Sequence, residues 1–381
     1  MSHDTRTLNR LDYISDEIYE IERSRIFHGG WMLAARADRL ENGNRTVVEL
    51  AGESVLITRD LDGTLHAFAN VCRHRGSRLC DAGDESKQGS LMCPYHAWTY
   101  ALDGRLIATP FLDATEVDRD KLPLWRYHLR EIQGFVFVSL AKDPPDFERW
   151  LEKNCADLLM LARFNCGDLK VAATTTCEVA ANWKIVIENY QECLHCARVH
   201  PELTAVVPTY RTGAVVDETR SDGGVAIVGN YTMPGATDTL PPLPGISELD
   251  ATSYYGGTIF PNGFIDISGT CVIVSTLFPK GPHHTTMTMD YMFAPETIAS
   301  ADFDPTPTIQ FNDLVAAQDS AVCERVHQGV TSRAFDHGVL TPKDALVIEF
   351  TQHYLAARAT IDEPVTETSP TRRRDAPSVS R

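Results

Sequence analysis

The chain has 381 residues, 43% of them hydrophobic, and a formal net charge of −17 at pH 7. This length allows one large domain or two, while the acidic balance and the lack of a basic stripe with aromatic residues argue against nucleic acid as a partner. No apolar run approaches the roughly 20 residues of a membrane span, and the polar, acidic N-terminus does not look like a signal peptide. We therefore expect a cytoplasmic protein without a membrane partner, in which the ten cysteines remain reduced and some bind metal.

The first 145 residues change from a helical to a β-rich pattern. Residues 12–27 carry apolar side chains at helical spacing with acids early, which predicts a short amphipathic helix. From about 38 to 145 the chain consists of short β-forming runs, with the turn sequences "DLDG" and "LDGR" between them. This stretch predicts a small all-β domain.

The remaining chain mixes strands and helices. A β run over 170–180 leads into a helix predicted over 182–200 and closed by Pro201, and residues 205–265 are expected to form strands and long loops. Strands near 264–279 and 284–295 precede helices near 308–329 and 343–358. The chain has no Gly-rich motif for a nicotinamide, flavin or nucleoside triphosphate of its own.

Two arms of the β-rich part each offer one thiol and one imidazole. "NVCRHRG" contains Cys72 and His74, and "LMCPYHAW" contains Cys93 and His96. Such a set suits a two-iron cluster with both thiolates on one iron and both imidazoles on the other. A zinc site is the alternative, but zinc sites with two Cys and two His usually pair like ligands within an arm.

These two loops resemble the Rieske family over about residues 30–145. The resemblance implies that Cys72, His74, Cys93 and His96 hold a [2Fe-2S] cluster. A membrane-anchored Rieske electron carrier is disfavoured, because Tyr95 stands where such proteins have an additional cysteine and no anchor is visible. A non-enzymatic electron-transfer or metal-stabilised binding protein remains the alternative from another class.

The second constellation is "NYQECLHCARVH", residues 189–200. Glu192 and His195 are three residues apart and share a helical face, whereas His195 and His200 differ by about 140° on an ideal helix. The two histidines can share a metal only if the helix ends or distorts between them. Two imidazoles and one carboxylate with open positions would form the facial triad of non-haem Fe(II) enzymes, the carboxylate coming from Glu192 or from a distant acid. Cys193 and Cys196 are expected to be packing residues rather than nucleophiles.

With the preceding β domain, this segment resembles the catalytic (alpha) subunit of Rieske non-haem iron oxygenases over residues 12–357. The resemblance implies that His195, His200 and Asp319 hold a mononuclear Fe(II), with Asp313 as the alternative third ligand. It also implies that Glu192 bridges to the cluster of a neighbouring subunit. Most members have Asp at that position, and Glu is shared by a subgroup acting on quaternary ammonium compounds such as glycine betaine, proline betaine, choline and carnitine.

The resemblance implies an α+β fold in which an all-β Rieske domain is inserted in a catalytic domain of mixed antiparallel sheet and helices. We expect four segments, namely an N-terminal helical segment (1–37), the Rieske domain (38–148), the catalytic domain (149–360) and a disordered tail (361–381). The expected partners are O₂, a small molecule, an NAD(P)H-dependent reductase with a flavin and a ferredoxin-type cluster, and further copies of the chain in a homotrimer.

The expected reaction is hydroxylation or oxidative N-demethylation of a methylated ammonium compound, with an aromatic ring or aryl ether as the rival substrate. Aromatic side chains could cage a trimethylammonium group through cation–π contacts. The candidates for that cage are Tyr210, Tyr231, Tyr254, Tyr255, Phe260 and Phe264. None of them is distinguished by sequence from an ordinary core aromatic.

Overall fold

The computed structural model describes residues 5–81, 89–113, 115–234 and 240–359, so the tail predicted to be disordered lies outside it. The strands are β1 (Thr5–Arg6), β2 (Met32–Arg36), β3 (Arg45–Leu50), β4 (Glu53–Arg59), β5 (Leu65–Ala69), β6 (Ser90–Met92), β7 (Thr99–Ala101), β8 (Leu106–Ala108), β9 (Arg126–Ile132), β10 (Phe135–Ser139), β11 (Lys170–Val179), β12 (Val225–Ala226), β13 (Ser253–Ile259), β14 (Gly263–Ile267), β15 (Val272–Pro279), β16 (Thr285–Phe293) and β17 (Val339–Leu340).

The α-helices are α1 (Arg10–Ile14), α2 (Asp16–Glu22), α3 (Phe147–Asn154), α4 (Ala156–Met160), α5 (Trp183–Tyr190), α6 (Cys196–Val199), α7 (Pro201–Val206), α8 (Glu248–Ala251), α9 (Pro295–Ile298), α10 (Thr306–Val330) and α11 (Ala345–Ala359). Short 3-10 turns occur at Ala37–Arg39, Arg119–Lys121, Leu161–Phe164, Pro208–Thr212 and Pro342–Asp344. Within the described ranges, no helix combines the length and the hydropathy that a bilayer span requires.

The β-rich part contains a six-stranded antiparallel sheet in the order β2-β10-β9-β5-β4-β3 and a three-stranded sheet in the order β6-β7-β8, counting the described residues. The two predicted turns join β4 to β5 and β7 to β8, and their glycines, Gly63 and Gly104, have φ of 87° and 88°. Side chains rarely adopt this left-handed conformation, which explains the glycines. β2 comes from the segment expected to be helical, and the domain boundaries at 37, 148 and 360 remain predictions.

The second large sheet has the order β11-β16-β15-β14-β13-β12 among the described strands, all neighbours being antiparallel. Because side chains alternate between faces, each strand contributes to two different environments. One face packs on α3 and α4 through Tyr255, Ile265, Ile267, Val272 and Val274. The other face borders a cavity through Tyr254, Gly256, Phe264, Asp266, Ile273, Ser275, Met287 and Met289. The α+β fold inferred from the resemblance is confirmed.

The N-terminal helix predicted over 12–27 is divided. α1 ends at Ile14, and the Ser15 side chain accepts a hydrogen bond from the Ile18 amide (3.3 Å), so that Ser15 caps the start of α2. After α2 the chain forms a π-helical turn, Arg23–Phe27. The prediction of one continuous helix was therefore wrong, because a preferred capping residue lies inside it.

A fully buried carboxylate joins α2 to the catalytic part. Glu22 accepts hydrogen bonds from Lys184 Nζ (2.6 Å), Trp183 Nε1 (2.9 Å) and the Tyr354 hydroxyl (2.6 Å). The side chains of Glu22 and Lys184 are both 0% exposed, and burial lowers the pKa of Lys184 while the charge of Glu22 opposes this effect. These hydrogen bonds connect the first turn of α5 to α2, near the N-terminus, and to α11, near the end of the described residues.

We expect Lys184→Met to lower the free energy of unfolding by about 3–5 kcal/mol, because it leaves the charge of Glu22 buried without its cation. Urea denaturation followed by circular dichroism measures this change. Lys280→Met is the matched control, since Lys280 pairs with Glu178 at the surface and should contribute less than about 1 kcal/mol. Equal effects of the two substitutions would contradict the assigned role of the buried pair.

Candidate active site

The segment 189–200 is not the continuous helix that its pattern predicted. α5 ends at Tyr190, residues 191–195 form turns, and α6 begins at Cys196. The Glu192 side chain accepts a hydrogen bond from the backbone amide of Leu194, which offers the chain an alternative to helical hydrogen bonding. α6 in turn ends at Val199, and His200 has non-helical φ and ψ of −121° and 68°, so the chain leaves the helix between the two histidines, as a shared metal requires.

This break brings three side chains together. His195 Nε2 and His200 Nε2 lie 3.3 and 2.9 Å from the same oxygen, Oδ1 of Asp319, which projects from α10. One donor atom from each residue lies within 4.8 Å of the others. His200 is 1% exposed, whereas the side chains of His195 and Asp319 retain 14% and 28% exposure. The group is therefore open on one side.

The second nitrogen of each imidazole is also held. His195 Nδ1 donates to Glu192 Oε1 (2.6 Å) and His200 Nδ1 donates to Gln318 Oε1 (2.7 Å). An acceptor at Nδ1 keeps the hydrogen there and leaves the Nε2 lone pair free for a metal. Both histidines are thus fixed in the tautomer that can bind a cation next to Asp319.

The carboxylates around His195 also control its charge. Burial lowers the pKa of His195, but the hydrogen bonds and charges of Asp319 and Glu192 outweigh burial and raise the pKa to about 9. Burial likewise raises the pKa of Asp319, and its contacts with His195 and His200 reverse this and lower it. In a metal complex the cation takes the place of these protons.

The donor set fits a facial triad of two imidazoles and one carboxylate, the arrangement of non-haem Fe(II) sites. The residues therefore fit the mononuclear iron that the sequence resemblance implied. Asp313, the alternative third ligand, lies elsewhere and accepts hydrogen bonds from Thr175 Oγ1 (2.8 Å) and the Tyr291 hydroxyl (3.0 Å). Gln318, whose side chain supports His200, was not recognised, although it precedes Asp319 in the sequence.

Cys193 and Cys196 form a disulfide with a Cα–Cα distance of 5.0 Å. Both residues are buried in an apolar cluster with Leu203, Val206 and Tyr210, so their expected packing role is present. The expectation that they remain reduced is contradicted for this pair. The short separation in sequence and the turn after α5 bring the two sulfur atoms within bonding distance.

A cavity of about 200 Å³ opens beside the three side chains. Its lining includes four of the aromatic residues considered for a cage, which are Tyr210, Tyr231, Tyr254 and Phe264. The other two candidates were wrong. Tyr255 lies on the opposite face of the sheet, where its hydroxyl donates to Asp222 and Asp250, and Phe260 packs against Phe350 and His353.

The aromatic wall of the cavity is continuous. Tyr231 stacks on Tyr254 with centroids 4.9 Å apart, Tyr210 meets Tyr254 edge-on at 6.1 Å, and Tyr190 stacks on Phe264 at 4.2 Å. Burial raises the pKa of all four tyrosines, which therefore remain neutral phenols. Tyr190 was missed because it belongs to the helix that carries the second constellation. Consecutive side chains of a strand point to opposite faces of the sheet. The strand pattern of β13 could therefore have shown that only one of Tyr254 and Tyr255 faces the cavity.

The first constellation lies in the β-rich part. Cys72 and Cys93 are 1% and 2% exposed, whereas His74 is exposed and His96 half-buried. The two imidazole rings meet at a centroid distance of 4.6 Å, and His74 also stacks on Trp98 at 4.6 Å. The thiols thus point inward and the imidazoles outward, as an asymmetric two-iron cluster requires.

The two ligand loops share one hydrogen-bond pattern. In each loop the cysteine amide donates to the carbonyl five residues later, and the amide four residues later donates back to the cysteine carbonyl. The partners are Ser77 (2.8 Å) and Gly76 (3.1 Å) for Cys72, and Trp98 (2.8 Å) and Ala97 (3.0 Å) for Cys93. Gly76 and Ala97 both have positive φ, at 72° and 56°. The turns are equivalent in their backbone hydrogen bonds, although His74 follows its cysteine by two residues and His96 by three.

Polar groups act against burial at both thiols, and they outweigh it at Cys93 but not at Cys72, whose pKa burial raises. Burial raises the pKa of Cys93, but the backbone amides of Tyr95 and His96 outweigh it and lower the pKa. The Tyr100 hydroxyl accepts a hydrogen bond from the Arg73 amide (3.0 Å) and lies 3.4 Å from Cys72 Sγ, where it can donate to a thiolate. Such hydrogen bonds to the sulfurs help to set the reduction potential of a cluster. Tyr100 was not recognised from the sequence.

Comparison with known proteins identifies a family for each of the two parts of the chain that carry these residues. The ring hydroxylating alpha subunit (catalytic domain) family matches residues 166–359, and the Rieske [2Fe-2S] domain family matches residues 30–126. The chain is 29% identical over 361 residues to the glycine betaine monooxygenase oxygenase subunit of Pseudomonas aeruginosa, covering 86% of this chain and 82% of that protein. It is 28% identical over 328 residues to the carnitine monooxygenase oxygenase subunit of Escherichia coli, covering 85% and 84%.

Solved structures show the same fold. The quaternary ammonium Rieske monooxygenase CntA in complex with L-carnitine matches with a TM-score of 0.73 at 25% identity, covering 94% of this chain and 96% of that chain. Naphthalene 1,2-dioxygenase from Rhodococcus matches with a TM-score of 0.73 at 18% identity, covering 93% and 94%, a likeness of fold alone. The first family covers half of the chain. The chain therefore belongs to the ring hydroxylating alpha subunit family and is a Rieske non-haem iron oxygenase, an enzyme with a Rieske [2Fe-2S] cluster and a mononuclear iron.

Proposed function

We propose that this oxygenase hydroxylates or oxidatively N-demethylates a methylated ammonium compound, with His195, His200 and Asp319 holding the mononuclear iron. Cys72, His74, Cys93 and His96 hold the cluster. The cluster supplies electrons singly and the iron supplies O₂ activation when both are bound. The electrons come from a separate NAD(P)H-dependent reductase with a flavin and a ferredoxin-type cluster.

The observation that carries this proposal is the shared cavity of the histidine–carboxylate group and the aromatic wall. Three tyrosines, Tyr210, Tyr231 and Tyr254, together with the stacked pair Tyr190 and Phe264, border the space into which the iron site opens. A cation over a tyrosine face gains roughly 0.5–2 kcal/mol. A methylammonium group held there would present its methyl hydrogens close to the iron site.

The size of the cavity favours a compact substrate. At about 200 Å³ it is smaller than the roughly 300–1,000 Å³ typical of sites for drug-sized ligands. Relatives whose names specify glycine betaine or carnitine as substrate support the same class. Aromatic rings and aryl ethers remain the rival class, because the fold also occurs in naphthalene 1,2-dioxygenase.

We further propose that Glu192 connects the two metal sites between copies of the chain. Its Oε1 accepts the hydrogen of His195 Nδ1, while the side chain remains 19% exposed. None of the four proposed cluster ligands lines the cavity of its own chain in the described structure. A head-to-tail homotrimer, closed by a heterologous interface, would bring the partner subunit's His96 to the other side of Glu192. Inter-subunit electron transfer is described for a related quaternary ammonium Rieske monooxygenase.

The support of His200 by Gln318 predicts a change in metal affinity. Gln318→Leu removes the acceptor of His200 Nδ1–H, and we expect Fe(II) to bind the mononuclear site about 10- to 100-fold more weakly. Competition with a chromogenic chelator measures this affinity. Gln318→Glu retains an acceptor for His200 but replaces the amide that donates to Glu202 (3.1 Å) with a second carboxylate, so it should bind Fe(II) more tightly than Gln318→Leu. Gln328→Leu, an exposed substitution on the same helix, should have no effect; an equal loss in Gln328→Leu would refute the assignment.

The bridging role of Glu192 predicts a loss of turnover without a loss of metal. Glu192→Gln retains an acceptor for His195 Nδ1 but removes the charge, so we expect about three iron atoms per chain and a normal Rieske spectrum. Reductase-coupled turnover should fall about 10- to 100-fold. Iron analysis, visible absorption and O₂ uptake measure these quantities. Full activity in this variant would refute the bridge, and loss of iron would make Glu192 a structural residue.

The substrate class is tested by product formation. In N-demethylation one oxygen atom of O₂ hydroxylates an N-methyl carbon, the other becomes water with two reductase electrons and two protons, and the hydroxymethyl group leaves as formaldehyde from the amine, which keeps the C–N electron pair. We therefore expect O₂ uptake with a methylated ammonium substrate to be matched by formaldehyde if an N-methyl carbon is oxidised and by a hydroxylated product if another carbon is. The panel consists of choline, glycine betaine, proline betaine, carnitine, benzoate and naphthalene, each with a competent reductase. Coupled product formation from benzoate or naphthalene alone would replace the proposed substrate class with the rival one.

A further inference from the structure

Asp266 is a carboxylate in a strand, on the face of the sheet that borders the cavity. It is the fourth of the five residues of β14, between Ile265 and Ile267, and is paired across the sheet with Gly256 and Ile273. Aspartate is depleted in strands, and a half-buried carboxylate in a central strand is costly without compensation. The proposed iron ligands, the aromatic wall and the bridging Glu192 do not account for its presence.

Only one oxygen of Asp266 is occupied by protein groups. Oδ1 accepts hydrogen bonds from the Tyr190 hydroxyl (2.9 Å) and from the Tyr254 hydroxyl. No hydrogen bond or ion pair reaches Oδ2 from any residue that the structure describes. Both donors are rings of the aromatic wall, so the carboxylate adjoins the surface that would receive a cationic head group.

The backbone opposite Asp266 leaves space for this arrangement. A Cβ atom at Gly256 would lie 2.9 Å from the Tyr190 hydroxyl oxygen and 3.2 Å from that of Tyr254. Any side chain there would therefore push the two hydroxyls away from the carboxylate. The Tyr190 hydroxyl is held further by the Gly257 amide, which donates to it at 3.2 Å. The geometry around Asp266 is thus built by two strands and a helix.

The charges of the cavity are unbalanced. Four carboxylates border it, Asp157, Glu192, Asp266 and Asp319, and the described lining contains neither lysine nor arginine. Asp157 accepts the backbone amide of Thr258 (2.9 Å), and a ferrous ion would offset the charges of Glu192 and Asp319. The charge of Asp266 remains without a partner.

The surroundings of Asp266 strengthen the attraction between its charge and a bound cation. Burial raises the pKa of Asp266 to about 6, the hydroxyls of Tyr254 and Tyr190 oppose the rise, and the charge of Asp319 adds to it. At neutral pH the group is mostly ionised and lacks a counter-ion. A bound cation would therefore be stabilised by a carboxylate that water screens poorly.

We propose that Asp266 is the counter-charge for the ammonium group of the substrate and that the cavity prefers a net cation to a zwitterionic betaine. This inference rests on the proposed function and names the charge class that it leaves open. A betaine carries a carboxylate beside its ammonium group, and the described lining offers that carboxylate no lysine or arginine. A methylated ammonium alcohol or amine has the positive charge but no carboxylate that would be buried without a cationic partner.

Direct binding to the holoenzyme tests the assignment without turnover. The probes are choline, its uncharged isostere 3,3-dimethylbutan-1-ol and the zwitterion glycine betaine, each titrated by calorimetry. We expect choline to bind at least about tenfold more tightly than either of the other probes, as a charge contact combined with cation–π contacts implies. Asp266→Asn should weaken choline binding about tenfold or more and leave the alcohol within about twofold.

Asp266→Asn keeps an oxygen that can accept from both tyrosines, and unchanged binding of the alcohol shows that the cavity is intact. Asp290→Asn is the matched control, because Asp290 is a buried strand carboxylate bonded to Thr174 (2.6 Å) and Arg39 (3.1 Å), outside the cavity lining. It should leave all three affinities unchanged.

The outcomes separate this inference from the proposed function. If Asp266→Asn still discriminates choline from the alcohol as the unaltered enzyme does, the assignment of Asp266 is overturned and the proposed function stands. If glycine betaine binds as tightly as choline, the preference for a net cation is overturned. If the unaltered holoenzyme binds choline no more tightly than the alcohol, both the inference and the proposed substrate class fail.

Discussion

The buried carboxylate of Glu22 is the contact on which the rest of the catalytic part depends. It collects hydrogen bonds from Trp183, Lys184 and Tyr354, which come from the beginning of α5 and from α11. A buried ion pair contributes little net stability but is costly to break, so it specifies one arrangement of its elements. It holds the start of α5, the helix that leads into the turn with Glu192 and His195.

At the proposed iron site, the two nitrogens of each imidazole have separate tasks. The Nδ1 hydrogens go to Glu192 and Gln318, and the Nε2 atoms face Asp319. A side chain that accepts at Nδ1 orients the ring and makes it a better ligand. Glu192 and Gln318, which are not proposed ligands, therefore orient the two histidines so that both can bind one metal ion.

The two metal sites differ in how they meet solvent. In the β-rich part the thiols are buried and the imidazoles are turned outward, which suits electron exchange with another surface. In the catalytic part His200 is buried and the open side of the site faces a cavity with an aromatic wall. The first arrangement favours contact with a macromolecule, and the second admits a small molecule. Histidine is the ligand type that the two proposed sites share, and it is exposed or half-buried in the first and largely buried in the second.

The sequence by itself determined what depends on neighbouring residues. The spacings of Cys72 with His74 and of Cys93 with His96 indicated the cluster, and the β runs, α10 and α11 followed from local periodicity. Tertiary structure decided the remainder. The placement of Asp319, rather than Asp313, beside the two histidines, the support of His200 by Gln318 and the separation of Tyr254 from Tyr255 all depend on contacts between distant segments. Local patterns report helical or strand spacing, whereas sheet register and helix packing decide which side chains meet.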